Sequence, residues 1–165
     1  MGKQVWKIAD FFDATFVMAA LLGGGLLTGL AGCNNSSVPV TTETDAKQAV
    51  ISITSDPIAD PQAVNMGLTF AGFCLDEGYD VSIFFNVKGV TLPTRSFDTA
   101  FRFGEHDPMI ETLQALHGRG AELHVCPVCM KDLDIQADEI MEEAFVTDKP
   151  KLFARLGDDT IVFSY

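Results

Sequence analysis

Apolar and polar positions alternate between two periods along most of this chain. The stretch "AVISITSD", residues 49–56, is short, β-branched and bounded by polar residues, which predicts a strand. Asp60-Pro61 then opens a helix, with aspartate at the N-cap and proline at the first helical position. Val64, Gly67, Leu68, Ala71, Cys74 and Leu75 fall on one face at helical spacing, and Gly78 is a natural left-handed stop. "YDVSIFFNV", residues 79–87, predicts a second strand, apolar on both faces as in a buried parallel sheet. A long irregular connection, "KGVTLPTRSFDTAFRFGEH", follows. Its Phe97, Phe101 and Phe103 are expected in packing or subunit contacts.

Asp107-Pro108 repeats the cap-and-proline opening. Met109, Leu113 and Leu116 make an apolar face with Ile110 and His117 beside it, closed by Gly118 or Gly120. "AELHVC", residues 121–126, predicts the third strand. "ADEIMEEAF", residues 137–145, predicts an acidic amphipathic helix, and "DDTIVFSY", residues 158–165, a closing strand. This βα alternation predicts an α/β fold: a mainly parallel sheet with helices on both faces. The first strand is followed by "TSDPIADP", which has no glycine. A glycine-rich phosphate loop is therefore absent there, which weighs against a dinucleotide or P-loop protein.

Residues 1–32 are a different material. Lys3 and Lys7 precede the apolar run "FVMAALLGGGLLTGLAG", which ends in Leu-Ala-Gly-Cys at Cys33. A basic start, an apolar centre and small residues before the break form the pattern of an export signal. The ending resembles a bacterial lipobox, which implies lipidation of Cys33. Two other readings are a retained membrane anchor and a core helix. Asp13 and the glycines from Gly23 to Gly29 fit both poorly. Residues 33–48, "CNNSSVPVTTETDAKQ", have a tether's composition, leaving 49–165 as the domain. The expected location is outside the cytoplasmic membrane, held there by the lipid anchor.

Charge narrows the partners. The 165 residues carry 23 acidic and 11 basic side chains, a formal net charge of −12. That balance opposes nucleic-acid binding, which needs basic surface to neutralise phosphate. It suits simple solubility or docking on a basic partner.

The chemistry concentrates in "HVCPVCMKD", residues 124–132. Open α/β sheets place their ligands at the carboxyl ends of strands, and Cys126 stands at such an end. Pro127 would pre-set a short helix, placing Cys126 near a helix N-terminus whose amides favour a thiolate. One turn on, Cys129 comes within reach. The pair supports a thiol reaction, a metal site with His124, a structural disulfide, or no chemistry at all. A zinc site needs a fourth ligand, and no second Cys-x-x-Cys or His-x-x-x-His supplies it. Cys74, on an apolar helical face, is expected in the core. Lys88, after the second strand, could bind an anion or simply be solvated.

The pieces "GYDVSIFFNVKGV" and "GAELHVCPVCMKDLDI", in this order and spacing, resemble the DsrE-like (DsrE/DsrF-like) sulfur-relay family from about Val50 onward. The resemblance implies a flavodoxin-like three-layer fold and a persulfide carried at the position of Cys126. It also implies sulfur-donor and sulfur-acceptor proteins as partners, and a homo-trimer or homo-hexamer. No organic cofactor is implied. Two departures stand out: the best-known members are cytoplasmic, and many have a single working cysteine where this chain adds Cys129. That second thiol could attack a persulfide on Cys126 and leave a disulfide. The alternatives are a metal-binding protein using His124, Cys126 and Cys129, and an interaction module without chemistry.

Overall fold

Residues 47–165 are described by a computed structural model of the chain. The predicted signal segment, Cys33 and all but the end of the tether lie outside them. No helix among the described residues is long and apolar enough to cross a membrane.

Five strands form one sheet in the order β4-β3-β2-β1-β5, every pair parallel. They are β1 (Gln48–Ile53), β2 (Asp80–Phe85), β3 (Glu122–Val125), β4 (Ala144–Val146) and β5 (Ile161–Ser164). Four helices connect them: α1 (Pro61–Asp76), α2 (Met109–Gly118), α3 (Pro127–Asp132) and α4 (Lys149–Phe153). This is a flavodoxin-like α/β arrangement, as the βα alternation predicts.

In-register neighbours in a parallel sheet share a face, so the ladder sorts the side chains. Ala49, Ile51, Ile53, Val81, Ile83, Phe85, Leu123 and Val125 line one face and are essentially buried. Helix α1 lies on it: a Cβ added to Gly67 would come within 2.4 Å of Ile53 Cδ1. The other face carries Ser52, Ser82, Phe84, Glu122, His124 and Phe145 in register, a far more polar set.

Helix α1 follows its sequence signals. Asp60 Oδ1 accepts from the Ala63 amide at 3.2 Å, and Val64, Gly67, Leu68, Ala71 and Cys74 are the buried face. Helix α2 corrects one expectation. Its N-cap is Pro108, not Asp107, and no side chain caps it. The Met109 amide instead donates to the Phe101 carbonyl at 3.0 Å, so the preceding connection satisfies the helix end. Gly78 and Gly120 take the positive φ expected of stops, while Gly118 is the last helical residue.

The acidic helix predicted over 137–145 does not form. Ala137–Glu139 is one 3-10 turn, and the chain then runs into β4. A helix there would set Asp138 against Glu142 and Glu139 against Glu143, like charges four apart. The long connection competes as well: Arg95 N–H donates to the Glu139 carbonyl at 2.8 Å, and Met141 N–H to the Pro93 carbonyl at 2.9 Å. Sequence patterning also missed β4 and α4, three and five residues long. The connection itself is packed rather than open. Val87–Thr91 form a 3-10 helix, Val90 and Leu92 are fully buried, and Phe97, Phe101 and Phe103 lie against the core.

Candidate functional site

The site lies at the carboxyl ends of β2 and β3. Cys126 ends β3: its amide still donates to the Phe85 carbonyl at 3.0 Å, while its own carbonyl accepts from Met130 N–H and starts α3. It is the N-cap residue of α3, with Pro127 at the first helical position, as the motif predicts. Its side chain makes no capping hydrogen bond. Cys129 follows within α3. Both cysteines are half-buried against the core and both are free.

The β2 end supplies the other wall. After Phe85 the chain turns at Asn86, whose Nδ2 donates to Ser52 Oγ at 2.9 Å. Val87 has φ of 49°, the left-handed region that a β-branched residue enters only under strain. In that conformation its amide donates to Cys129 Sγ at 3.1 Å. Its own side chain is 57% exposed, so packing does not explain the geometry. Two residues on, Gly89 presses against β1: a Cβ there would lie 2.1 Å from the Ile53 carbonyl oxygen. The turn is therefore held by backbone contact and aims one N–H at a sulfur. The α3 amides expected to favour a Cys126 thiolate make no capping bond with its side chain; the amide that reaches a sulfur is that of Val87, on Cys129.

The Cys129 thiol is pushed above its ordinary pKa, chiefly by burial and then by its hydrogen bond with Cys126; the Val87 amide acts the opposite way. The site thus holds one thiol in its protonated form next to a second sulfur. Such a pair can accept an electrophilic sulfur on one member and keep a proton, or later a second nucleophile, on the other.

His124 stands apart from this pair. It is 1% exposed on the polar sheet face, with Nε2 3.0 Å from Glu122 Oε2 and Nδ1 3.1 Å from Thr147 Oγ1. Among the described residues no three His, Cys, Asp or Glu side chains group as metal ligands. The three-ligand cluster of His124, Cys126 and Cys129 therefore does not assemble; His124 is the satisfied strand histidine. Lys88 is exposed and pairs with Asp56 at 3.6 Å. Cys74 is buried, and burial raises its thiol pKa. Sequence reasoning missed Val87, since nothing in "NVKG" announces a valine at positive φ.

Fold and paired thiols together define an α/β protein with a cysteine site at the carboxyl edge of a parallel sheet. Residues 48–162 match the DsrE/DsrF-like family, and the chain belongs to it. No curated protein sequence matches. Among solved structures, the ychN protein from E. coli superposes with a TM-score of 0.57 at 17% identity, over 71% of this chain and 99% of that one. MTH1491 from Methanobacterium thermoautotrophicum, a protein of unknown function, gives 0.56 at 13% identity, over 71% and 97%. At such identities the likeness is one of fold. Family membership points to a role of sulfur-relay type in general.

Proposed function

We propose that this protein carries sulfane sulfur as a persulfide on Cys126 and that Cys129 controls its discharge. The observation that supports it most is the free, hydrogen-bonded thiol pair at the end of β3, with the Val87 amide on the second sulfur. In loading, the Cys126 thiolate attacks the outer sulfur of a donor persulfide. A new S–S bond forms, the donor's S–S bond breaks, and the donor thiolate leaves. The sulfur passes over without an external oxidant. An acceptor thiolate removes it by the same exchange. In a second route, deprotonated Cys129 attacks Cys126 Sγ. Hydrosulfide leaves, a Cys126–Cys129 disulfide remains, and a dithiol reductant must reset the pair.

The partners in this reading are a sulfur-donor and a sulfur-acceptor protein, and the assembled form is a homo-trimer or homo-hexamer. The domain is tethered outside the cytoplasmic membrane through lipidated Cys33. Fatty-acid labelling lost in Cys33→Ala supports the anchor, and labelling that persists in the variant removes it.

The test of the relay is intact mass after incubation with polysulfide, or with thiosulfate and a sulfurtransferase. We expect added sulfur that reductant removes and that Cys126→Ser lacks. An unchanged mass under every donor sinks the proposal.

A further inference from the structure

The polar face of the sheet holds a second built feature, away from the thiols. A cavity of about 360 Å³ is lined by Glu122, His124, Phe145, Lys151 and Arg155. Glu122 is already saturated. Arg155 grips it with Nε at 2.9 Å and with Nη2, and His124 Nε2 lies on Oε2. A carboxylate only accepts, so Nε2 bears the proton; Nδ1 faces the Thr147 hydroxyl at 3.1 Å, which the Asp148 carbonyl also approaches at 3.3 Å. Burial holds that imidazole below its ordinary pKa, and the charge of Lys151 adds to the effect. The neutral ring stacks obliquely on Phe145, centroids 4.5 Å apart.

Arg155 and Glu122 cancel, which leaves Lys151 as the uncompensated charge. Its Nζ sits 5.4 Å from the Phe145 centroid, and among the described residues no carboxylate lies within ion-pair distance of it. What sets Lys151 apart is its place on the rim of this cavity, beside an aromatic ring. The other cavities differ. One of about 350 Å³ is lined by Lys47 with Asp158 and Asp159. One of about 300 Å³ between α1 and α2 carries Asp107, Glu111 and an Arg119 already paired with Asp76. A small one of about 130 Å³ shares Glu122 and Arg155 with the first, so their ion pair forms a common wall.

We propose that the cavity over His124 binds a small organic anion, its acid group on Lys151 and its apolar body against Phe145. The two walls ask for different chemistry: the lysine for an acid, the aromatic ring for a flat or short apolar group. Glu122 positions rather than repels, because three N–H groups absorb its charge. The site does not rest on the thiol reading, and Cys126→Ser leaves it intact.

Equilibrium dialysis of the full-length chain against labelled benzoate tests this, with benzamide as the uncharged twin. We expect one saturable benzoate site per chain. Affinity falls roughly tenfold in Lys151→Glu and falls with added salt. Benzamide binds at least about fivefold more weakly, for want of the charge. Lys151 is exposed, so its replacement leaves the fold in place; Phe145→Leu independently weakens binding by removing the ring. The proposal is overturned if benzoate shows no saturable binding up to about 20 mM, well beyond the millimolar range of weak ligands. It is also overturned if benzamide matches benzoate or if Lys151→Glu binds as the parent does.

Discussion

At Cys129 several influences act on a single sulfur. Burial, Cys126 and Asp132 push its pKa up, the Val87 amide pulls it down, and the upward push wins. Alkylation of Cys129 by iodoacetamide, followed by peptide mass against pH, will therefore show a midpoint above the ordinary thiol value of about 8.5. Cys126→Ala will lower that midpoint, since the hydrogen bond and the neighbouring charge both go. Val87 carries the strain that aims the amide. Val87→Gly removes a left-handed β-branched residue whose side chain is exposed, and is expected to stabilise the fold by about 1 kcal/mol in urea denaturation. At this scale the sequence was legible at Cys126, where a strand pattern meets a proline. It was silent on which sulfur takes the amide, because that depends on a turn whose amide lies 42 residues away in the chain.

Among the elements, the β2–3-10 turn holds its shape through contact with β1. Gly89→Ala drives a Cβ into the Ile53 carbonyl oxygen, a backbone atom that cannot swing aside. A loss of roughly 2 kcal/mol or more is expected. Because Val87 is two residues upstream, the variant's Cys129 alkylation profile will shift too, which separates a distorted turn from a merely weaker fold. Helix α1 and strands β1 to β3 were legible because each has a full period of apolar positions. The segment 137–145 was not. Ile140 and Met141 are buried as an amphipathic helix would bury them, yet the surrounding carboxylates and the carbonyls taken by Arg95 and Met141's own bond to Pro93 favour an extended path. Tertiary hydrogen bonds decided it, and these have no local signature.

For the molecule as a whole, the polar sheet face makes stability depend on pH. His124 is buried with its pKa held below the ordinary value, so the unfolded chain takes up the proton first as pH falls below about 6.5. Its contribution is complete above that value and is lost as pH falls towards the folded pKa. Urea midpoints at pH 7.5 and 5.5 will differ more for the parent than for His124→Gln; equal differences would remove His124 as the cause. Glu122, Lys151 and Arg155 surround the ring and are common to both proteins, which isolates the imidazole. The parallel α/β architecture was visible in the βα alternation from the start. The count of five strands was not, since β4 has three residues and is ordered by β3 alongside it.

The pairing of β1 with β5 has a consequence for how the chain is made. Thr54 and Ser55 donate to the Tyr165 carbonyl, and the Thr54 contact spans 111 positions. Strand β1 is synthesised well before β5, and its outer edge has no hydrogen-bonding partner until Ile161–Ser164 has been made and released. During that interval "AVISI" is an open, β-branched template for any passing strand. A chain truncated before Ile161 should therefore be sticky and protease-sensitive, and one that includes Ile161–Ser164 should be resistant.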